Sequence, residues 1–387
     1  MRLPPLVAAV LAGVVVLAAF GLWQVASPRL PQGPVPALET QSAGSAIAAL
    51  REGAALPPGA QPLSLATTGR ILPDGPGFRH QWPAVQATAR FEGDQVLALF
   101  DDALNRYRVT VGGTVLLLTR PGNAQLHISG LGPGPHDILL EKLSESPGPA
   151  RFGGFFLPSG GQALPPPAPL ARSIAFIGDS DTVGYGNTAA SRDCTAEQVF
   201  LTTDTGQSFG PRVARHFGAE FGVVARSGVG LVRNYDGAEP GRSLPDIYPL
   251  LLEGGPVAAE STAGVIVLGI GSNDFSTSLR TGEGWADVAA LRADFQATLL
   301  YFLRSLRAAN PDALFVLLAF GEYGEDLLAA HRAAHDAFLA EGARAELLIL
   351  PELGRGACHW HPALADHALV AERLIAVLER HDDLWGD

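Results

Sequence analysis

A proline-rich segment, "LPPPAP" at residues 164–169, divides the chain into two parts with different hydrophobic periods. Such a run is stiff because each proline fixes its φ angle. Short alternating apolar runs precede the segment, whereas continuous apolar runs separated by helical patterns follow it. A change of period at a stiff hinge predicts two domains, which also suits a chain of 387 residues.

The part before the hinge is predicted to be a β-sandwich. From about Ser64 to Leu164, short apolar runs recur about every ten residues and are broken by Gly, Pro, Asn and Asp. Gly112 and Gly113 form a hairpin-turn signal between two of them. We assign residues 63–164 to an all-β sandwich domain. The runs are "ATARF", "VLALF", "YRVTV", "TVLLL", "LHISG" and "HDILLEKL".

The part after the hinge, residues 170–385, is predicted to be an α/β domain with a parallel sheet. Its strand-like runs are "SIAFIG", "FGVVA", "GVIVLGI", "ALFVLLAF" and "AELLIL", and its helix candidates are "FGPRVARHF", "VAALRADFQATLLYFLRSLRAA" and "EDLLAAHRAAHDAFLAEG". Continuous apolar strands that alternate with helices are typical of a parallel sheet covered on both faces. Ligands of such sheets bind at the carboxyl ends of the strands.

The N-terminal 27 residues predict export. No charged residue occurs from Leu3 to Pro28, and the run from Leu6 to Trp23 is almost continuously apolar behind Arg2. Both an uncleaved signal-anchor and a cleaved signal peptide fit this pattern, and either carries the following domains to a periplasmic or extracellular location. Residues 28–62 are rich in Pro, Gly and Ala and are predicted to be a linker.

The charge balance limits the partners of the chain. Its formal net charge of -12 at pH 7 disfavours nucleic acid and anionic membrane surfaces. The sequence therefore predicts a neutral or cationic substrate and contact with a membrane only through the N-terminal segment.

Four residues with catalytic potential follow predicted strands of the α/β domain. Ser180 lies in "GDSD", Gly228 in "RSGVG", Asn273 in "GSND" and His361 in "CHWHP". A serine at a strand-to-helix turn can act as a nucleophile if an imidazole takes its proton. An amide donor such as Asn273 suits a tetrahedral oxyanion, and Gly228 allows a close approach of the backbone.

These four blocks resemble those of the SGNH (GDSL) hydrolase superfamily. The sequences "FIGDSDTVGYGN", "SGVGLVRNY" and "CHWHP", preceded by "GRILPDG" and "GFFLPSGG" in the sandwich, are similar to carbohydrate esterase family 2. The resemblance covers about residues 64–381. It implies a jelly-roll-like sandwich followed by a flavodoxin-like α/β/α domain that cleaves esters without a metal or another cofactor.

The resemblance also implies a role for each block. Ser180 matches the nucleophile and His361 the general base, while the Ser180 backbone N–H, Gly228 and Asn273 match the oxyanion hole. The superfamily usually has an Asp three residues before this His, where the present chain has Cys358. Family 2 esterases tolerate a Ser-His dyad whose imidazole is held by a main-chain carbonyl.

Other assignments of the "CHWHP" region stay open at this stage. Glu352, Asp366 or another acid could orient His361 in place of a carbonyl. Cys194 and Cys358, the two cysteines of an exported chain, predict a disulfide, although two unrelated thiols also fit. Zinc would need Cys358, His359, His361 and His367 as ligands, which would remove His361 from Ser180.

Three further residues lie near the predicted site in the sequence. Trp360 is either a packing residue or a sugar-stacking surface, and His359 is expected to be a surface imidazole without a role. Asp181, directly after the nucleophile, is unusual because the family generally has an apolar residue there; its charge could slow attack or tune His361.

The predicted function is a serine esterase that removes acetyl or other small acyl groups from an acetylated polysaccharide or oligosaccharide. The alternatives are a lipase, a thioesterase, a peptidoglycan deacetylase and a carbohydrate-binding protein with a decayed site.

Overall fold

The computed structural model describes residues 37–385 apart from 43, 45 and 259–261. The predicted signal segment, residues 1–27, lies outside the described residues. Among the residues described, no helix is both long enough and apolar enough to cross a bilayer.

In the described part of the chain, the N-terminal domain is a sandwich of two antiparallel seven-stranded sheets. Its first sheet has the order β1-β10-β9-β12-β7-β14 with β4 also paired to β7, and its second has the order β2-β11-β8-β13-β6-β5 with β3 also paired to β13. The strands are β1 (Leu38–Ser42), β2 (Ile47–Glu52), β3 (Gln61–Pro62), β4 (Ala66–Thr68), β5 (Ile71–Asp74), β6 (Gly77–His80), β7 (Gln86–Glu92), β8 (Val96–Asp102), β9 (Arg106–Val111), β10 (Thr114–Thr119), β11 (Gly122–Ser129), β12 (Pro135–Lys142), β13 (Ala150–Leu157) and β14 (Gln162–Leu164).

The sandwich forms because its strands bury alternate side chains between the two sheets. In β9, for example, Tyr107, Val109 and Val111 are buried, and the residues between them are partly exposed. Gly112 and Gly113, both with positive φ, close the predicted hairpin between β9 and β10.

The sandwich begins earlier than the sequence predicts. Strands β1, β2 and β3 all lie within residues 28–62, so the linker prediction is wrong from Leu38 onward. Among the described residues, strands β1 and β2 are outer strands that pair only with β10 and β11 respectively. Their own residues are mostly small or exposed, so pairing with a formed sheet stabilises them and local periodicity does not reveal them.

The C-terminal domain is built on a five-stranded parallel sheet of order β16-β15-β17-β18-β19. Its strands are β15 (Arg172–Gly178), β16 (Ala219–Ala225), β17 (Val265–Gly269), β18 (Leu314–Phe320) and β19 (Ala345–Leu350). This is the predicted flavodoxin-like order. Every residue of β17 and β18 is buried, which explains why these strands are continuous apolar runs in the sequence.

Helices cover both faces of this sheet. One face packs against Phe209–His216 and Leu364–Leu378, and the other against Val288–Ala309 and Glu325–Ala340. The α-helices of the domain are Ser180–Val183, Ala196–Thr202, Phe209–His216, Leu244–Ile247, Ser272–Phe275, Val288–Ala309, Glu325–Ala340 and Leu364–Leu378. Short 3-10 turns occur at Thr205–Gln207, Tyr235–Gly237, Gly321–Tyr323 and Cys358–Trp360.

The strand order places the predicted catalytic residues at one edge. The chain runs from β15 outward to β16 and then returns to β17 on the other side of β15, which opens a crevice at the carboxyl ends of these strands. Ser180, Gly228 and Asn273 follow β15, β16 and β17, and His361 follows β19.

The two domains share direct polar contacts. Arg120 of the sandwich pairs with Glu197 through two bonds of 2.7 Å, and the Thr205 N–H donates to the Leu143 carbonyl at 3.0 Å. Glu145, just after β12, accepts the Ser227 N–H at 2.7 Å. The sandwich therefore fixes the backbone directly before Gly228.

Candidate active site

Ser180 is the first residue of the short helix that follows β15. The preceding Asp179 caps this helix by accepting the Asp181 N–H at 3.0 Å. At Gly178, the last residue of β15, a side chain would collide with the Thr182 hydroxyl and the Gly269 carbonyl. The turn is therefore tight, and it holds the Ser180 side chain at the crevice with only 6% of the residue exposed.

His361 contacts Ser180 directly. Its Nε2 lies 2.9 Å from the Ser180 Oγ, and its Nδ1 lies 2.9 Å from the Cys358 carbonyl oxygen. Because a carbonyl can only accept, Nδ1 carries the proton and Nε2 is free to accept the serine proton. Burial lowers the pKa of His361, although the Asp181 carboxylate opposes this shift. The imidazole is therefore neutral at neutral pH, as a general base requires.

Neither carboxylate considered in the sequence as an orienting acid contacts this imidazole. Asp366 accepts backbone N–H groups of Gly354, Arg355 and Ala363, so it fixes the loop and the start of the last helix. Glu352 is exposed. Within the described part of the chain, the group that orients His361 is a backbone carbonyl.

The three candidate oxyanion donors lie around the same crevice. Among the described residues, the backbone N–H groups of Ser180 and Gly228 have no hydrogen-bond acceptor. The Asn273 Nδ2 donates to the Val229 carbonyl at 2.7 Å and, over a longer 3.3 Å, to Asp179. Gly228 has a φ of +79°, which explains the need for glycine here.

A buried carboxylate holds the loop that carries Gly228. Asp274, next to Asn273, accepts the N–H groups of Leu231, Val232 and Arg233 at 3.0, 2.8 and 2.9 Å. The two residues of the "ND" pair therefore have separate partners: the Asn273 amide binds the Val229 carbonyl and Asp179, and the Asp274 carboxylate fixes the neighbouring loop.

The predicted disulfide is present between Cys194 and Cys358. It ties the segment after the nucleophile to the loop whose Cys358 carbonyl holds His361. In the chain-entropy approximation, a loop closed over 164 residues stabilises the fold by up to about 5 kcal/mol.

His359 is exposed, as expected for a surface imidazole, but both of its ring nitrogens have defined partners. Its Nε2 donates to the Cys194 carbonyl at 2.8 Å, and its Nδ1 accepts from the Tyr185 hydroxyl at 3.1 Å. The Tyr185 ring lies 4.3 Å from the His361 ring. Sequence reasoning missed Tyr185, which nothing distinguishes from a packing aromatic until the loops are folded.

The residues considered as zinc ligands do not converge. Cys358 is in the disulfide, His361 faces Ser180, and the buried His367 accepts the Phe209 N–H at 3.3 Å. The residues that the structure describes contain no group of three or more His, Cys, Asp or Glu side chains arranged around a common point.

Two exposed aromatic residues flank the crevice. Trp360, 60% exposed, directly precedes His361, and its ring lies 5.7 Å from the Arg192 guanidinium. Tyr235 is 53% exposed, and its N–H donates to the Gly228 carbonyl at 2.9 Å. The exposure of Trp360 favours the stacking surface over the packing residue.

A cavity of about 390 Å³ lies next to the crevice, where the sandwich meets the catalytic domain. Apolar and charged side chains from both domains line it, among them Trp82, Glu145, Tyr185, Phe200 and Arg226. The sandwich therefore forms one wall of the space beside the dyad.

Comparison with known proteins identifies the family. A family model described as "Carbohydrate esterase 2 N-terminal" matches residues 67–167. Over 338 residues the chain is 36% identical to an "Acetylxylan esterase / glucomannan deacetylase" of Cellvibrio japonicus, and the match covers 84% of this chain and 93% of that protein. The chain belongs to carbohydrate esterase family 2. This membership confirms the resemblance seen in the sequence, the SGNH-type fold and the class of carboxylic ester hydrolase.

Other esterases agree with this membership. The "Cellulase/esterase CelE" of Acetivibrio thermocellus is 33% identical over 267 residues, which cover 65% of this chain and 31% of that protein. A solved carbohydrate esterase, whose active site is described as having divergent catalytic and non-catalytic binding functions, superposes with a TM-score of 0.79 at 34% identity and covers 84% of this chain and 100% of its own. A family two esterase from Clostridium thermocellum in complex with cellohexaose gives a TM-score of 0.72 at 27% identity, covering 83% and 100%.

Proposed function

We propose that this family 2 esterase removes acetyl groups from a polysaccharide or oligosaccharide through an acyl-enzyme on Ser180. The observation that carries the proposal is the 2.9 Å contact between the Ser180 Oγ and the His361 Nε2, with the other ring nitrogen held by the Cys358 carbonyl. This arrangement provides a nucleophile, a base and a fixed tautomer in one crevice.

The acylation step uses these groups in order. The Ser180 Oγ attacks the ester carbonyl carbon while His361 takes its proton at Nε2. The carbonyl oxygen becomes an oxyanion, which the Ser180 and Gly228 N–H groups and the Asn273 amide stabilise. The Asn273 amide exchanges its long bond to Asp179 for a bond to this oxyanion. The intermediate collapses as the bond between the acyl carbon and the sugar oxygen breaks and His361 gives its proton to that oxygen, which leaves acetyl on Ser180.

Deacylation repeats the sequence with water. His361 takes a proton from water as its oxygen attacks the acyl carbon, and a second oxyanion forms in the same site. The proton then passes to the Ser180 Oγ as the acyl–oxygen bond breaks, which releases acetic acid and restores the dyad. No step consumes an oxidant or another co-reactant.

The substrate class follows from the relatives and from the surface beside the dyad. Acetylxylan esterase and glucomannan deacetylase are the activities named for the Cellvibrio japonicus relative. Exposed aromatic rings such as Trp360 and Tyr235 can stack on the apolar faces of sugar rings. The cavity at the domain boundary gives a polysaccharide chain a wall on the sandwich side.

Acetate release separates this function from its rivals. We expect release from acetylated xylan or glucomannan, and faster cleavage of 4-nitrophenyl acetate than of 4-nitrophenyl octanoate. Preference for octanoate would indicate a lipase or thioesterase, and release only from cell-wall peptidoglycan would indicate a peptidoglycan deacetylase. Binding of the polysaccharides without release of acetate would indicate a carbohydrate-binding protein with a decayed site.

Replacing Trp360 with alanine is expected to affect the polysaccharide selectively. The loss of ring stacking should raise the KM for acetylated xylan by about three- to tenfold and leave kcat/KM on 4-nitrophenyl acetate nearly unchanged. Steady-state kinetics on both substrates measure this, with Tyr301→Ala as control because Tyr301 is an exposed aromatic on the outer helix Val288–Ala309. An equal loss on both substrates would contradict a role in sugar binding.

We also propose that the protein is exported, and that residues 1–27 either anchor it or are cleaved. The Cys194–Cys358 disulfide supports an oxidising compartment. Cell fractionation with thiol labelling tests this: recovery outside the cytoplasm with both cysteines blocked is expected, whereas recovery in the cytosol with free thiols would contradict it.

A further inference from the structure

The residue directly after the nucleophile is a buried acid. Asp181 is only 2% exposed, yet it lies within the short helix that begins with Ser180. A buried carboxylate needs a compensating charge and hydrogen-bond donors, because water no longer solvates it. Its partner therefore shows what keeps an acid at this position.

That partner is Arg355, in the loop that carries the base. The Arg355 Nη2 donates to the Asp181 Oδ2 at 2.8 Å, and Nη1 donates to Oδ1 at 3.2 Å, so both carboxylate oxygens are bound. The Arg355 Nε donates to Glu322, which follows β18. The guanidinium is thus fixed from two sides, and such forked pairs specify geometry as well as charge.

Arg355 also contacts the residue before the base. Its Nη1 lies 3.4 Å from the Trp360 carbonyl oxygen. One guanidinium therefore bridges the residue after the nucleophile and the residue before His361. Since the Ser180 Oγ and the His361 Nε2 must stay in hydrogen-bond contact, a bridge between their neighbours limits how far the two can separate.

We propose that Asp181 and Arg355 are positioning residues of the dyad: the pair holds the base loop against the nucleophile turn, and the Asp181 carboxylate stabilises the His361 imidazolium without contacting it. The inference rests on the proposed function. It gives the chain a counterpart of the acid that is missing three residues before His361, where Cys358 offers only a carbonyl.

The charges around His361 shift its pKa in the directions that this role requires. The Ser180 hydroxyl, the Tyr185 ring and the Cys358 carbonyl face the imidazole and carry no charge at neutral pH. Burial lowers the pKa of His361; Asp181 raises it and Arg355 lowers it. Around Asp181 itself burial raises the pKa of the carboxyl, but Arg355, His361 and His367 together hold it below its ordinary value.

Asp179 is a second buried acid next to Asp181. Burial and the neighbouring Asp181 raise the pKa of Asp179. Asp181, with its arginine, is therefore the ionised member of the two. Asp179 instead contacts the Ser272 hydroxyl and the Asn273 amide on the oxyanion side.

The test is the pH dependence of kcat/KM on 4-nitrophenyl acetate for Asp181→Asn. Removal of the carboxylate lowers the pKa of His361, which must be neutral to act. The acid limb of the pH profile, in which kcat/KM rises as His361 loses its proton, is therefore expected to move to lower pH by about one unit. The plateau should fall about tenfold, because the imidazolium formed in the transition state loses a nearby charge. Asp383→Asn, which removes a surface carboxylate paired with Arg344, is the control and should match the wild type.

A second variant keeps the inference testable if Asp181→Asn does not fold. Arg355→Lys retains the positive charge but cannot form two parallel bonds to the Asp181 carboxylate. We therefore expect a lower plateau of kcat/KM and a smaller shift of the acid limb than in Asp181→Asn. A folded Asp181→Asn variant with wild-type acid limb and plateau would overturn the inference. If Asp181→Asn does not fold, wild-type values for Arg355→Lys would overturn it. Loss of activity in Ser180→Ala alongside either of these results would leave the proposed function standing, whereas full activity of Ser180→Ala would remove the proposed function itself.

Discussion

Replacement of Ser180 by alanine is expected to lower kcat/KM on 4-nitrophenyl acetate by about 10⁴-fold or more. Without the Oγ that lies 2.9 Å from the His361 Nε2, no acyl-enzyme can form, and only the oxyanion donors and substrate binding remain. The variant should fold normally because the Oγ has this one polar partner among the described residues. Steady-state kinetics with a thermal unfolding curve make the measurement.

Two comparisons make this result specific. Ser208→Ala removes another buried hydroxyl of the same domain, one without a hydrogen-bond partner in the described structure, and should retain wild-type activity. The double variant Ser180→Ala/His361→Ala should be no less active than Ser180→Ala alone, because a nucleophile and its base act as one unit. Full activity of Ser180→Ala would show that the ester is cleaved by another group.

Replacement of Asn273 by alanine is expected to lower kcat by about 10²- to 10³-fold while KM changes little. The amide is needed when negative charge develops on the carbonyl oxygen, so its loss raises the energy of the transition state more than that of the bound substrate. Kinetics on 4-nitrophenyl acetate measure kcat and KM separately. The change should be smaller than that of Ser180→Ala, since two backbone donors remain.

The control for Asn273 is Asn123→Ala, on an exposed position of sandwich strand β11. It should leave both constants at wild-type values. A rise in KM with unchanged kcat for Asn273→Ala would instead assign the residue to substrate binding. A marked loss of thermal stability would assign the effect to its 2.7 Å bond with the Val229 carbonyl.

The catalytic domain follows closely from local sequence patterns. The helix Val288–Ala309 and strand β19, Ala345–Leu350, occur at the ranges predicted from hydrophobic period alone. Parallel strands buried on both faces require continuous apolar runs, so these runs in the sequence mark the strands directly. Ser180, Gly228, Asn273 and His361 could be selected as candidates because the carboxyl ends of parallel strands share one edge of the sheet.

The outer strands and the supporting residues did not follow from such patterns. Strands β1 and β2 depend on the hydrogen bonds of a sheet that forms elsewhere in the chain. Tyr185, Arg355 and Glu145 contact His361, Asp181 and Ser227, which lie 176, 174 and 82 positions away along the chain. No local hydrophobic period marks these three residues.

The sequence by itself determined the two domains, the strand-end positions of the catalytic candidates and the absence of an acid three residues before His361. Only the tertiary structure decided which group faces the His361 Nδ1, the Cys358 carbonyl, and which charge compensates the buried Asp181, the Arg355 guanidinium. The physical reason is that strand and helix periods are set by neighbours along the chain. The orientation of a ring and the compensation of a buried charge depend instead on groups that only folding brings within hydrogen-bond distance.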